Sequence, residues 1–506
     1  MSRKDLVILF LLSFFFTLLV GLFQHSPGYI DADYYYAGGI RLAQGYGFTE
    51  TTLWNYLDSP QSLPHASHGY WYPLASLLAA LGMVVTGSTS FATAKIGFVL
   101  LGGLIGPLMA LAGYQYSGSR QKGWLAGLLG IFSGFYSPFI STTDNYGVCI
   151  VLGCALFLLF GSNLPKKYFY IGLVIGLLNL ARSDSLLWLG TLLLWLLWYG
   201  LVKKEVTAAV AGKIGWVVLG YGLVMAPWIA RNLLVFGSPF SAAGDKVLWL
   251  TNYYDTFAWP ASRVNLATFL ASGWREIITV RAGVLWTLIL NGLFAQVGLL
   301  NIVWFILGFK KTWTEKRIRY FFLSWVLLLG VMGVLFPYAA SRGSFFHASA
   351  TVFPVMVIVI VEGVWIGFEK LRIARYVWTV ALAAMFFSGY VIYQSVVIKD
   401  WERFNRVYIS IEENIALDGA LLSETIMVAN PPGYFAVTDR PAIIVPNENL
   451  DMILSVAGKF DAAYIVFDEK YCQLPKQEFC FKAASMGDLV YLTSVEDTHI
   501  YKINKK

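Results

Sequence analysis

The chain has 506 residues, of which 57% are hydrophobic and 13% charged, with a formal net charge of +7. Soluble domains carry about a quarter charged residues, so a deficit this large along most of the length excludes a water-soluble globule and makes lipid the main solvent. The excess of Lys and Arg comes in short clusters between apolar runs, a pattern of membrane topology that leaves no nucleic-acid partner to expect, and four Cys in this length exclude a disulfide scaffold.

A spanning helix needs about 20 mostly apolar residues, fewer inside a bundle. In chain order the sequence predicts eleven spans, at 6–23, 91–115, 123–139, 146–161, 168–181, 185–201, 213–235, 283–308, 320–338, 349–367 and 377–397. The first lacks a small-x-small cleavage site after it and reads as a retained anchor. The run 71–86, which opens on aromatics and Pro73, is a twelfth candidate. Six basic clusters decide its place: Arg3/Lys4, Arg120/Lys122, Lys166/Lys167, Lys203/Lys204, Lys310/Lys311 with Lys316/Arg317/Arg319, and Lys370/Arg372/Arg375. If 71–86 lies at the interface, all six fall on one side, which the positive-inside rule makes cytoplasmic. The sequence therefore predicts a multi-pass plasma-membrane protein with a cytoplasmic N-terminus and an extracytoplasmic C-terminal segment.

The loops on the other side carry the chemistry. The first, 24–72, holds Asp31, Asp33, Glu50, Asp58, His65 and His68. Later turns hold Asp144 in STTDNYG, Arg182 and Asp184 in LARSDSLL, and Arg342 and His347 in ASRGSFFHAS. The loop 237–282 holds Asp245 and Asp255 among Trp249, Tyr253, Tyr254 and Trp259. Ionisable groups at a membrane boundary are costly unless hydrated, paired or used, and carboxylates from several helix ends on one side have the layout of a site. From about 401 the composition changes. WERFNRVYISIEENIA has a helical period, TIMVAN, AIIVPN, AAYIVFD, LVYLTS and HIYKIN read as strands, and LDMILSVAGKF reads as a crossover helix. The expected organisation is a transmembrane domain over 1–400 and a small extracytoplasmic α/β domain over 401–506. Cys472 and Cys480, in the latter, suit either a disulfide or two thiols; Cys149 and Cys154 read as packing residues in a span.

Four strings carry a family resemblance: DADYYYAGGIRLAQGYGF at 31–48, HGYWYPLASLLAAL at 68–81, STTDNYGVCIVLG at 141–153 and APWIARNLLVFGSPF at 226–240. In this order and on one side they resemble the GT-C fold glycosyltransferases, in particular the protein-mannosyltransferase-like family 39 and the related lipid A aminoarabinose transferases. The resemblance covers the membrane part. It implies a transferase that moves a sugar, with inversion, from a polyprenyl-phosphate-linked donor to an acceptor protein, lipid or glycan at the outer face of the bilayer. By that resemblance Asp31 or Asp33 is the general base and Asp144 assists or orients. Arg182, Arg231 and Arg342 are candidate phosphate ligands, and His347, Tyr35 and Trp71 complete the substrate-binding set. A divalent metal, Mg or Mn, is a further expectation, with His65 and His68 at i and i+3 as its candidate ligands. Each residue has a plainer reading. Asp31, Asp33 and Asp144 suit helix N-termini, Arg182 suits an ion pair with Asp184, Arg231 suits snorkelling, the histidines suit ordinary hydrogen bonds, and the loop aromatics suit an interfacial belt. One rival class, a secondary transporter, would place charge near the midplane and show two similar halves; Glu362 is the clearest acid inside a span and no repeat is visible; the other is a membrane sensor or assembly protein that binds a partner through its extracytoplasmic C-terminal domain.

Overall fold

The computed structural model describes residues 1–204, 207–472 and 477–504. Eight helical segments are long and apolar enough to cross a membrane, and Leu74–Thr86, Asn145–Phe160 and Lys167–Ala181 are shorter apolar helices. The membrane part runs α1 (Arg3–Leu22), α2 (Ile30–Ala43), α3 (Leu74–Thr86), α4 (Ile96–Ser117), α5 (Arg120–Ile131), α6 (Asn145–Phe160), α7 (Lys167–Ala181), α8 (Leu186–Lys203), α9 (Thr207–Phe236), α10 (Trp274–Gln296), α11 (Ile302–Thr312), α12 (Lys316–Leu335), α13 (Phe353–Lys370) and α14 (Thr379–Ile392). At 13 residues, α3 is about 20 Å long, short of a hydrocarbon core about 30 Å thick.

Two of the expected spans are corrected. The run 283–308 is divided: α10 ends at Gln296, the chain turns at Gly298 in the left-handed region (φ 76°), and α11 begins at Ile302. A hydropathy window does not see such a break, because Val297, Leu299 and Leu300 are as apolar as the helices they separate. The run 123–139 is α-helical only to Ile131 and continues as a 3-10 turn over Gly134–Phe139, which contains Pro138. Proline there has no amide to give to an α-helix.

The segment that includes α13 is almost wholly buried. Its apolar surface on every side marks a central helix of the bundle. Lipid supplies no hydrophobic drive between helices, so close backbone contact must hold them. The crossing of α11 and α13 shows it: a Cβ on Gly363 would lie 1.7 Å from the Trp304 carbonyl oxygen. The basic clusters gather at one face of the bundle. Arg120 grips Asp5 near the start of α1 at 2.6 Å, Lys122 and Lys311 both hold Glu362 midway along α13 at 2.8 and 2.6 Å, and Lys316 donates to the Tyr199 hydroxyl. Glu362 is thus neutralised by two lysines of the basic clusters. The opposite face carries α2, α3 and the long loops.

After Trp401 come α15 (Arg403–Leu417), β4 (Thr425–Val428), α16 (Pro431–Thr438), β5 (Ala442–Ile444), α17 (Leu450–Lys459), β6 (Ala462–Asp468), β7 (Leu489–Val495) and β8 (Thr498–Ile503). The five expected strands and both expected helices form; α16 is additional. Its PPG start suggests a turn, but Asn430 caps it, accepting from the Gly433 amide, and Pro431 takes the first helical position, where no amide hydrogen is needed. Cys472 and Cys480 are joined in a disulfide. The first loop contributes β1 (Thr49–Glu50), β2 (Thr52–Leu53) and β3 (His65–Ala66), and β2 enters the C-terminal sheet, whose order is β2-β5-β4-β6-β8-β7. Leu53 pairs with Ile443 in a parallel register. All seven residues of β6 are buried, as a central strand requires. One face of the sheet packs on Val407, Ile411 and Ile415 of α15; the other packs on α17 and on Trp54 and Tyr56 of the first loop. The C-terminal sheet is therefore fastened to the membrane part by a strand that precedes it by almost 400 residues.

Candidate active site

The site begins with three consecutive hydroxyls. Ser141 donates to the Gln24 side-chain oxygen at 2.6 Å, Thr142 to the Pro27 carbonyl at 3.0 Å and Thr143 to the Ala32 carbonyl at 2.8 Å. This ladder ties the segment before and at the start of α2 to the turn before α6, and so brings Asp31 and Asp144 together. Asp144 is the N-cap of α6, its side chain accepting from the Asn145 amide, and it is fully buried. Its other carboxylate oxygen accepts from the Tyr29 hydroxyl and from His347 Nε2, the latter at 2.8 Å. The capping reading and the site reading of Asp144 are both satisfied, by different oxygens.

His347 stands between the two acids. Its Nε2 is 3.7 Å from Asp31 Oδ2, its Nδ1 is 3.0 Å from the Gly343 carbonyl, and its ring stacks on Tyr146 at 3.8 Å. A carboxylate and a carbonyl only accept, so both ring nitrogens donate. The backbone bend that turns the ring inward lies at Gly343, whose φ of 119° is open to glycine. Asp31 is the one acid of the cluster that solvent reaches, with 24% of its side chain exposed against none for Asp144. Burial pushes the Asp31 carboxyl up to about 6, with the Asp144 charge adding to the rise and His347 and Arg182 opposing it. Burial also works against the charge on Asp144, but the His347 charge and the donors from His347, Tyr29 and Asn145 outweigh it and hold that carboxyl below the usual range. Two acids of the same kind are thus driven apart.

Around this centre, Arg182 makes its expected pair with Asp184 (Nε–Oδ2 3.0 Å) and also donates from Nη2 to Ser344 Oγ at 2.8 Å. Its Nη1 has no partner among the described residues. Tyr35 accepts from Asn145 Nδ2 at 2.7 Å. Arg342 is exposed, lies 4.5 Å over the Tyr253 ring, and makes no ion pair among the described residues. Tyr253 and Tyr70 both lie within electrostatic reach of Asp31, which places the 237–282 loop at the mouth of the site.

Other expected residues lie elsewhere. Asp33, two residues on from Asp31, leaves α2 by the opposite face; it is buried and accepts from Asn430 Nδ2 of the C-terminal segment at 2.7 Å, and burial pushes its carboxyl up to about 7. Arg231 spends its donors on the Ser67 and Phe48 carbonyls and on Asn232, at 2.7, 3.3 and 3.1 Å, under the Trp228 and Phe236 rings. It pins the first loop. Trp71 is buried in a stack with Tyr34 and Trp54. His65 pairs with Asp58 at 2.8 Å. His68 has Ser67 Oγ on Nδ1 at 2.7 Å and Ser76 Oγ on Nε2 at 3.0 Å, and burial pushes it down to about 3. The expected His65/His68 metal pair is corrected: the two rings have separate partners, because His68 turns inward with a φ of 62°. Tyr29, Asn145, Tyr146 and Ser344 escape a reading of the sequence, since no spacing links them to the acids they serve; Asn145 and Tyr146 sit in the acidic string but carry no charge to draw notice.

No protein-family model matches the sequence, and no curated protein matches it. Solved structures do share its fold. ArnT from Cupriavidus metallidurans bound to undecaprenyl phosphate superposes with a TM-score of 0.60 at 11% identity, over 99% of this chain and 98% of that one. The Archaeoglobus fulgidus oligosaccharyltransferase AglB, in complex with an inhibitory peptide and a dolichol-phosphate, gives 0.57 at 13% identity, over 92% of this chain and 69% of that one. The same oligosaccharyltransferase with Zn and sulfate gives 0.54 at 13% identity, over 91% and 67%. Identities this low establish the fold: the chain is a multi-pass membrane protein of the GT-C fold, as its motifs imply. One of these structures holds zinc. Among the described residues no three His, Cys, Asp or Glu side chains converge to hold an ion. Asp144 Oδ2 already takes Tyr29 and His347, and His347 has both nitrogens engaged. These residues do not fit a metal centre.

Proposed function

We propose that this protein is a glycosyltransferase that moves a sugar from a polyprenyl-phosphate-linked donor to an acceptor hydroxyl, with inversion, at the extracytoplasmic face of the membrane. The observation that carries the reading is the Asp31–His347–Asp144 arrangement, in which one acid is fixed and one is open. Asp144, held by three donors, keeps the His347 ring in place. Asp31, partly solvated and least supplied with donors, is the group free to take a proton. Its carboxylate accepts the proton of the acceptor hydroxyl as that oxygen attacks the anomeric carbon. The new bond is oxygen to anomeric carbon, and the bond from that carbon to the phosphate oxygen breaks, its electron pair leaving with the polyprenyl phosphate. General bases placed this way contribute about 10²- to 10⁴-fold.

The charge that develops on the leaving phosphate needs donors. Arg342 at the mouth and the free Nη1 of Arg182 supply them, and a guanidinium suits a phosphate by shape. The likeness to structures that hold undecaprenyl phosphate and dolichol-phosphate supports a lipid phosphate as donor. One-sided gathering of the basic clusters supports a cytoplasmic basic face and an extracytoplasmic site. Glu362, although midway along α13, is neutralised by Lys122 and Lys311 and leaves no unpaired acid there for a transporter to use. The test is transfer from polyprenyl-phosphate sugars to acceptor by the purified protein in nanodiscs: full activity in both Asp31→Asn and Asp144→Asn would overturn the reading.

A further inference from the structure

A cavity of about 270 Å³ lies on the other face of α2, at the seam where the C-terminal domain meets the membrane part. The seam is firmly made: the Trp401 indole donates to the Ser26 carbonyl at 2.9 Å, and Glu402 accepts from the His25 amide at 2.7 Å. Asp33 and Tyr36, three residues apart on α2, share this face and line the cavity. The Tyr36 hydroxyl is spent on the Thr89 carbonyl at 2.8 Å, which leaves its ring as wall. Phe91, edge-on to Tyr36 at 5.4 Å, and Phe404 of α15 add two more rings. The cavity opens beside His25 and Ser90, both exposed.

Asp33 is 6% exposed, and its two oxygens differ. Oδ2 is closed in: it accepts from Asn430 Nδ2 at 2.7 Å, and a Cβ on Gly433 would lie 2.8 Å from it. Oδ1 makes no hydrogen bond among the described residues yet keeps open surface, so it is the oxygen that meets the cavity. The charges that act on Asp33 are those of Glu402 and Asp31, both acids. Nearby cations are committed elsewhere. Lys95, 4.8 Å over the Phe91 ring, donates to the Gly21 and Gln24 carbonyls at 2.6 and 2.7 Å, and Arg403, beside Phe404, pairs with Glu496 and Asp497. A buried carboxylate with acidic neighbours and one free oxygen is costly, and an opposite charge relieves it. Aromatic walls suit a cation as well, whereas an anion would be repelled. A single water occupies about 30 Å³ of liquid volume, so the space admits a head of several heavy atoms.

The geometry points to an ammonium-binding site in this seam: a primary amine enters past His25 and Ser90, gives a hydrogen to Asp33 Oδ1 and lies among the rings of Tyr36, Phe91 and Phe404. A metal ion is a poorer fit, because a hard cation wants six or more oxygens and one free carboxylate oxygen is too few. The amine comes either from a small soluble molecule or from the head of an aminated lipid, which present the same group. The site concerns binding only and stands apart from the transfer reading.

The test is saturation-transfer NMR and equilibrium titration on the full chain in nanodiscs of phosphatidylcholine and phosphatidylglycerol, which carry no primary amine. The probes are ethylamine, ethanolamine and putrescine, with ethanol and acetate as neutral and anionic controls. At least one amine binds and neither control does. Asp33→Asn weakens that amine about 10- to 100-fold, the worth of a charge-assisted hydrogen bond, and does not lower the melting temperature, because Asn keeps an acceptor for Asn430 and sheds a buried charge. Phe404→Leu, at a half-buried position of the wall, weakens it about 2- to 5-fold. Adding phosphatidylethanolamine to the nanodisc weakens the soluble amine by competition where a lipid head is the occupant, and leaves its affinity unchanged where the amine comes from solution. The proposal is overturned if no amine binds, if either control binds as the amines do, or if Asp33→Asn or Phe404→Leu binds as the natural protein does.

Discussion

Replacing Asp31 by Asn separates the chemistry of this acid from its cost to the fold. The folded protein raises the Asp31 carboxyl from 3.8 to about 6, chiefly by burial. A carboxyl raised on folding contributes stability that is fully present below about 3.8 and is lost as the pH climbs through about 6. At pH 8 the loss comes to at most about 3 kcal/mol, the upper limit because a quarter of the side chain meets solvent. Asn is neutral at every pH and escapes the loss. With an unfolding entropy near 1 kcal/mol per kelvin for a chain of this length, Asp31→Asn should melt up to about 3 °C higher at pH 8, and the gain should shrink as the pH falls from 6 toward 4. The same substitution should lower transfer by about 10²- to 10⁴-fold, and in the natural protein kcat/KM should fall about tenfold for each pH unit below 6. Melting curves at a series of pH values and initial transfer rates from one preparation give all three readings. Transfer within tenfold of the natural protein, a flat rate between pH 5 and 8, or a variant destabilised at pH 8 would refute the reasoning.

Asp144→Asn removes the charge that fixes His347 and should cost both rate and fold: transfer at least about 100-fold down, and melting lowered by about 3 °C or more, as expected when a buried charge loses its partner. Arg342→Ala should raise the KM for the lipid donor about 10- to 100-fold, the worth of a charge-assisted hydrogen bond, while melting stays unchanged because the side chain is exposed; a fall in kcat with KM unaltered would count against donor binding. Glu362→Ala leaves the partly buried Lys122 without its partner, so melting should fall by an amount corresponding to at most about 3 kcal/mol, with transfer per folded molecule unchanged; a loss of transfer ahead of folding would bring the basic face into the mechanism. Cys472→Ser with Cys480→Ser opens a loop of sequence separation 8 and should cost about 2.5 kcal/mol, seen as earlier proteolysis of the C-terminal domain.

The parts of the fold that the sequence shows are those governed by composition. Long apolar runs and one-sided basic clusters mark the spans, because lipid tolerates little else. Strand and helix periods after 401 mark the α/β segment. What hydropathy misses is backbone geometry within apolar stretches, as at Gly298 and after Ile131. It also misses contacts between distant segments. The sheet gains β2 from a loop almost 400 residues earlier, and the Thr52 and Leu53 that form it have no strand-like run around them. The candidate site divides in the same way. Asp31, Asp144, Arg182, Arg342 and His347 stand out as ionisable residues in a chain poor in them, and four motif strings add the resemblance. Asp31 and Asp144 lie 113 positions apart in the sequence, and nothing in either string says that Ser141, Thr142 and Thr143 would draw them together or that His347 would stand between.

The uneven surroundings of the acids also explain why the DAD string offers two candidate bases and the fold favours one. Neighbours at i and i+2 on a helix point to opposite sides, so Asp31 and Asp33 cannot share a site. Asp33 is tied to Asn430 in the seam. Asp144 has the charge a base needs, but both of its oxygens are engaged, Oδ1 by the Asn145 amide and Oδ2 by Tyr29 and His347. Such saturation lowers its basicity further. Asp31 combines access, a basicity raised toward neutrality and a neighbouring cation that steadies its charged form without closing it off. On the transfer reading we propose, donor count and burial divide the labour between an anchor acid and an open acid, and the proton goes to Asp31.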